Sequence, residues 1–380
     1  MFIMKTKTVT NFLKKACLFA LAFASFSIVA QEEEEEKEKN WFDNFSVSGS
    51  VDGYYRYNIG APNDNSVAPG TSFANESGFA LGMANVILGY EGDKVGFVAD
   101  LVFGQRGEDA VFNSDDSAQI VNQLYAYWNV SEKVTLTFGN FNTFLGYEVI
   151  SPTGNFNYST SYMFSYGPFS HTGLKADFVL SEKWSAMLAV MNPTDYTENN
   201  PFDTYIVGAQ LGYSADKGSA YLNFRYGNEG EPGEVGPTFQ ADLTTGWDVA
   251  EDFYLGINAT YLSTEPQEDG DAAGFYGVAL YPQYKTSEKF TLGLRGEYFA
   301  QYNGGLVVID GTDISTPFGV DTEGDGSVFA ATLTGSYDIG DLTLKPELRV
   351  DSASEDSFTD NDGELTKSLS SFVLGAVYKF

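Results

Sequence analysis

From Phe45 to the final Phe380, apolar side chains recur at every second position in sixteen runs of about ten residues, each bounded by clusters of Gly, Asp, Asn, Ser or Pro. A strand places alternate side chains on opposite faces, so this period builds a sheet with one greasy and one wet face. In one run Ala220, Leu222, Phe224 and Tyr226 share a face while Tyr221, Asn223 and Arg225 share the other. In the last, Phe372, Leu374, Ala376, Tyr378 and Phe380 alternate with Val373, Gly375, Val377 and Lys379. The number of runs is even. Every second connection is short and polar: EGD at 91–93, SEK at 131–133, 181–183 and 287–289, ADK at 215–217, AED at 250–252 and the turn ending at Asp341. The others include long segments at 59–77, 144–167, 303–325 and 353–366. Tight turns on one rim and long loops on the other predict an all-β fold: a transmembrane antiparallel β-barrel of about 16 strands, with short periplasmic turns and long external loops. Closure matters because hydrocarbon has no water to satisfy an open sheet edge.

Charge follows the same phase. Arg56, Lys175, Arg225, Lys285, Arg295, Lys345 and Arg349, with Asp52, Asp100, Asp177, Asp242, Asp248, Glu297, Glu347 and Asp351, all fall on the parity opposite to the apolar face. A cation pointed at mid-bilayer lipid costs about 2 to 4 kcal/mol, so a lipid-facing surface excludes these residues and a water-filled lumen does not. Tyr90, Trp128, Trp184, Phe253, Phe290, Tyr337, Tyr378 and Phe380 collect where runs meet short turns, as an interfacial girdle does.

The N-terminus reads as export machinery. Lys5, Lys7, Lys14 and Lys15 precede the apolar run 16–30, which is too short for a resident membrane helix of about 20 residues and predicts a cleaved signal peptide over 1–30. Cys17, the chain's single cysteine, leaves with it, and with it any disulfide or thiolate chemistry. Removing those four lysines from 21 basic residues leaves 17 against 52 acidic, a net charge of −35 that excludes nucleic acid as a partner. Six glutamates crowd residues 31–40, and 31–43 is expected to be an acidic flexible leader. No G-x-S-x-G or P-loop pattern occurs, the one histidine, His171, has no serine partner two residues on, and DTEGDG at 321–326 starts like a calcium loop but has Thr332 where a bidentate glutamate belongs. No catalytic residue, metal ligand or cofactor is expected, and the chain is not read as an enzyme.

The stretch GNFNTFLGYEVISPTGNFNYSTSYMFSYGPFSHTG, 139–173, resembles the putative β-barrel porin-2 family of Gram-negative outer membranes. The resemblance rests on Gly139, Phe141, Thr143, Gly146, Tyr147 and Glu148, then Ser161, Tyr162, Phe164, Pro168, Phe169, His171, Thr172 and Gly173. Over the rest of 44–380 it rests on pattern and the terminal Phe380. It implies an outer-membrane porin through which small hydrophilic solutes or ions diffuse passively, in contact with outer-membrane lipid and lipopolysaccharide, as a monomer or a homotrimer. In porins of this kind a third loop narrows the pore. The segment 144–167, whose only ionised residue is Glu148, is the constriction-loop candidate, with an external loop folded over the mouth as its alternative. Glu148 is expected to face a basic wall of Lys175, Arg225 and Arg295, with Arg56, Asp100, Asp177, Glu297, Lys345, Glu347 and Arg349 as further pore-lining candidates. Seven basic and eight acidic lumenal charges do not decide between anions and cations. Acids at 108, 109, 115, 116, 265, 268, 269, 271, 321, 323 and 325 form an external vestibule that favours cations only within a Debye length. The alternative function is a non-conducting barrel serving as an adhesin or enzyme scaffold. Small lumenal residues (Gly173, Gly208, Gly212, Gly256, Gly277, Gly293) instead suit an open or loop-constricted bore.

Overall fold

The computed structural model describes residues 41–380, apart from 66–68, 70–72, 115, 268–269, 307 and 311–312. The expected signal peptide and most of the acidic leader lie outside the described residues, as do Asp115, Glu268 and Asp269 of the vestibule.

Among the described residues twenty strands follow in chain order. They are β1 (Phe45–Ile59), β2 (Gly78–Glu91), β3 (Val95–Phe103), β4 (Val121–Ser131), β5 (Val134–Asn142), β6 (Ser170–Val179), β7 (Trp184–Met191), β8 (Ile206–Ala215), β9 (Gly218–Asn228) and β10 (Pro237–Ala250). Then come β11 (Phe253–Thr264), β12 (Ala273–Lys285), β13 (Phe290–Tyr302), β14 (Val308–Asp310), β15 (Asp313–Ser315), β16 (Gly326–Ile339), β17 (Leu342–Ala353), β18 (Phe358–Thr359), β19 (Leu365–Thr366) and β20 (Ser368–Lys379). Sixteen of them form one closed barrel in sequence order, and β20 closes antiparallel onto β1 from Ser50↔Lys379 to Ile59↔Ser370. Phe380 completes the seam: its amide and carbonyl exchange hydrogen bonds with those of Gly49, both 3.1 Å. The other four strands are two small hairpins, β14–β15 and β18–β19, inside external segments that the sequence reading left as plain loops. The second hairpin turns through Asp362-Gly363, with Gly363 at φ 81°, a turn signal that flanking polar composition obscured.

The recurring SEK turns have a local cause. Ser131, Ser181 and Ser287 each accept, through Oγ, the amide of the lysine two residues on, which satisfies the tight turn without another residue.

The barrel is inside-out relative to a soluble sandwich. Leu222, Phe224 and Tyr226 are exposed while Asn223 and Arg225 between them are buried; Leu294 is 43% exposed and the adjacent Arg295 0%. Arg56, Asp100, Glu297, Lys345, Glu347, Arg349 and Asp351 are likewise buried. A wall greasy outside and charged inside is stable only against lipid. Trp128, Trp184, Tyr337, Tyr378 and Phe380 stay exposed near the short-turn rim, where an aromatic girdle belongs. Leu294→Arg should therefore lower folding stability in lipid vesicles by about 2 to 4 kcal/mol. Thr291→Arg, on the lumenal parity of the same strand, should cost little. Urea titration of both in vesicles checks this, and equal losses would contradict the assigned faces.

Candidate functional site

Residues 144–167 leave β5 and cross the bore. Their neck is tied where β5 and β6 stop pairing: Asn142 sits opposite Ser170, and the Thr143 amide donates to the Phe169 carbonyl at 2.9 Å. His171 is fully buried there between the rings of Phe141 and Phe144, with Nε2 3.0 Å from Thr143 Oγ1. Its phase toward the lumen is as the sequence predicts, and its surroundings fasten the neck.

Apart from one helical turn, Tyr162–Ser165, this segment has no regular structure to satisfy its own backbone, so the wall does it. Wall carboxylates accept its amides. Glu347 takes those of Tyr158 (2.5 Å) and Ser159 (3.0 Å), Glu297 those of Tyr162 (2.9 Å) and Met163 (2.8 Å), and Asp242 that of Gly146 (3.0 Å). Wall cations donate to its carbonyls: Lys345 to Pro152 (2.8 Å) and Asn155 (2.5 Å), Arg295 to Ser159 (2.6 Å), and Arg349 to Thr160 (2.8 Å). The Tyr158 hydroxyl donates to Asp52, and Asn157 Nδ2 to Thr334 Oγ1 at 2.6 Å. Within the segment Ser161 caps the helical turn by accepting the Phe164 amide (3.1 Å).

Glu148 is the segment's one ionised group, and it lies 2.6 Å from Arg295 while also accepting the Ser161 amide at 2.7 Å. The expected three-cation wall is reduced to Arg295. Lys175 instead pairs with Asp177 (3.2 Å) on its own strand β6, and Arg225 on β9 pairs with Glu229, four residues on, and bonds Gln240 at 2.6 Å. Each of these two cations has a carboxylate of its own within reach, Asp177 on β6 and Glu229 just beyond β9, and β6 also lies seven strands around the barrel from β13. Of the remaining candidates, Arg56 bonds Asn58 (3.0 Å) and the Ala74 carbonyl (2.9 Å), Asp100 accepts from Asn85 (3.1 Å) and Asn122 (2.6 Å), and Arg349 forks onto Asp351 (2.8 Å).

Sequence reasoning missed Arg106. It lies in the helix Gln105–Ala110 of another external loop, donates to the carbonyls of Ile150 (2.7 Å) and Tyr158 (3.0 Å), and stands 5.5 Å from the rings of Phe73 and Tyr158. Three loops meet on this one buried guanidinium. Strand periodicity cannot reach a residue in a loop, although Arg106 is the only cation between β3 and β4.

Between the segment's edge at Leu145, Gly146 and Met163 and the wall at Gln240, Asp242, Asn258 and Thr260 lies a cavity of about 10 Å³, room for about one water. Nearer the turn rim, Lys175 and Asp177 keep 16% and 34% of their side chains exposed. The bore is thus more open toward the turn rim and closely packed where the segment crosses it.

In the external loop after β7, Asp195 accepts the amides of Phe169 (2.7 Å) and Ser170 (2.8 Å), and burial pushes its carboxyl up to about 7 in spite of those bonds and of nearby Arg225. A carboxyl raised in the folded state stabilises fully below its ordinary value near 4, and that contribution is lost as pH rises through about 7. Amide exchange at Phe169 and Ser170 should therefore speed up between pH 5 and pH 8 beyond the intrinsic pH effect. Asp195→Asn should abolish that excess; an excess that persists in this variant would contradict the assignment.

A family model described as Putative beta-barrel porin-2, OmpL-like matches residues 44–380. Among solved structures, the chain resembles a loop-deletion mutant of OmpT, an outer membrane protein of Vibrio cholerae, with TM-score 0.58 and 12% identity over 88% of this chain and 99% of that one. It is similar to the outer membrane channel DcaP of Acinetobacter baumannii (0.56, 16%, 88% and 97%) and to an anion-selective porin from Comamonas acidovorans (0.58, 10%, 88% and 99%). No curated protein sequence matches the chain.

Proposed function

The chain belongs to the putative beta-barrel porin-2, OmpL-like family of outer-membrane porins, and from that premise we propose that the passage of small hydrophilic solutes is set by residues 144–167 crossing the lumen. The observation that carries this reading is the wall's provision for the segment's backbone: carboxylates where it offers amides, cations where it offers carbonyls. Arg295, Glu297, Lys345, Glu347 and Arg349 serve as its seat, Glu148 is the segment's own charge held there, and Arg56 fastens the neighbouring loop through the Ala74 carbonyl. Lys175, Asp177, Asp100 and Arg225 line other parts of the wall. Solutes diffuse down their gradient, and selection falls on the narrowest section and its charge.

Lys175 is the test of charge selection because it is accessible and off the seat. Lys175→Glu places a second acid beside Asp177 and should move the planar-bilayer reversal potential under a salt gradient toward cations. The shift should be larger at 0.1 M than at 1 M salt, where the Debye length falls from about 10 Å to about 3 Å. An unchanged potential would remove this pair from the conduction path.

A second reading, a non-conducting barrel, is favoured by the close packing around the crossing segment. It requires that no current flows in the intact barrel or in one lacking residues 146–166.

The chain is exported by a cleaved signal peptide to the Gram-negative outer membrane, where lipid and lipopolysaccharide cover the greasy band. A homotrimer is the assembly we favour, from wall height. At about 3.3 Å per residue and a tilt of about 40°, the eight residues of β7 rise about 20 Å, short of an apolar band of about 25 Å, whereas the fifteen of β1 exceed it. A low wall is covered most economically by another copy.

A further inference from the structure

The wall carries a second imprint of the crossing segment, in glycine. Five side chains of that segment each cover a wall glycine so closely that a Cβ added there would collide: Phe144 over Gly208, Tyr147 over Gly256, Met163 over Gly277, Phe156 over Gly293 and Tyr158 over Gly375. The built Cβ at Gly208 would stand 2.6 Å from the Phe144 ring and that at Gly277 2.7 Å from Met163. At Gly375 the obstruction reaches the inner ring atoms of Tyr158, which is fully buried and held by Asp52, Glu347 and Arg106, so nothing flexible can yield. These glycines lie on β8, β11, β12, β13 and β20, more than half of the circumference. None has a positive φ, so backbone conformation does not call for glycine at any of them. Close approach of a side chain does: a glycine in a strand lets an aromatic face, or at Gly277 the Met163 thioether, settle on the backbone.

We infer that Gly208, Gly256, Gly277, Gly293 and Gly375 are specificity-determining residues of the pore, sockets that fix where residues 144–167 lie and hence the largest solute that passes. The inference deepens the porin reading above and rests on it. Hydrogen bonds from wall side chains hold the segment's backbone but tolerate small slides. Rings seated on bare backbone do not, because any lateral shift drives them into neighbouring Cβ atoms. Four of the five were read from sequence as suiting an open or loop-constricted bore; they are the places where the loop fills it.

The test uses the full-length barrel in planar bilayers and in proteoliposomes. Gly375→Ala and Gly293→Ala should each raise single-channel conductance by roughly twofold or more as the segment lifts from the wall. Gly296→Ala, where an added Cβ meets nothing within 4 Å, should leave it unchanged. In a Phe156→Ala background, where the socket at 293 is already vacant, Gly293→Ala should add nothing. A readout that does not need conduction is chymotrypsin added from outside: cleavage after Tyr158 should rise several-fold in Gly375→Ala. Parental conductance with parental cleavage in the socket variants, or an undiminished effect of Gly293→Ala in the Phe156→Ala background, overturns the inference. Absence of current from every barrel, including one lacking residues 146–166, instead rejects the porin reading, and the cleavage pattern still decides whether the sockets hold the segment.

Discussion

Replacing residues 146–166 with a short Gly-Ser bridge should raise single-channel conductance several-fold while the barrel still assembles. Assembly survives because closure is carried by sixteen strands whose ladders run through β1–β20 pairing without using the segment. The neck bonds at Thr143 and Phe169 are kept by the chosen ends. Conductance rises because a barrel of this strand number encloses an aqueous channel once its interior is vacated. The vacated wall would show Arg56, Arg295, Lys345 and Arg349 beside Asp52, Glu297, Glu347 and Asp351, all now covered. Mixed charge of that kind hydrates readily and should make the widened pore weakly selective. The variant must also tolerate the loss of backbone partners for Glu297 and Glu347, which water then supplies. A conductance equal to that of the parent would mean that the narrowest section lies elsewhere.

Arg295→Met should have the largest effect of any single lumenal substitution. Removing one partner of a buried ion pair costs about 3 to 5 kcal/mol, because the other charge stays in a dry place without compensation. Here that charge is Glu148, 4% exposed, and the Ser159 carbonyl loses its donor as well. The segment has an escape that a core residue lacks: it can leave the wall and take Glu148 into water. The cost should therefore appear as a released segment and not as an unfolded barrel. Thermal stability of the β-signal should change little, while open-channel noise and outside protease cleavage within 144–167 rise sharply. Adding Glu148→Gln removes the stranded charge and should recover part of the parental behaviour. An Arg295→Met barrel with quiet, parental conductance would contradict the seat.

The barrel was legible because a strand's period of two writes the two solvents, lipid and water, directly into alternate letters, as in Ala220 to Tyr226. Short turns were legible because SEK supplies its own serine cap. The site was legible only in part. Glu148 stands out as the lone charge of its loop, yet which cation meets it depends on how the segment crosses the bore, and no local pattern states that path. Arg106 belongs to no strand and so to no phase. The wall glycines suited an open or a loop-constricted bore alike, since absence of a side chain looks the same whether the space is filled by water or by a ring. The β14–β15 and β18–β19 hairpins were lost among acidic loop residues because each strand is only two or three residues long.

The most direct measurement is a cross-link. The mature chain is expected to lack cysteine, and the side chains of Asn157 and Thr334 meet at 2.6 Å across the lumen. Asn157→Cys combined with Thr334→Cys should form an internal disulfide on mild oxidation, seen by peptide mass mapping, and the locked barrel should keep the parental conductance. Failure of the pair to oxidise, or a locked barrel carrying the large current of the 146–166 replacement, would contradict a segment seated in the bore.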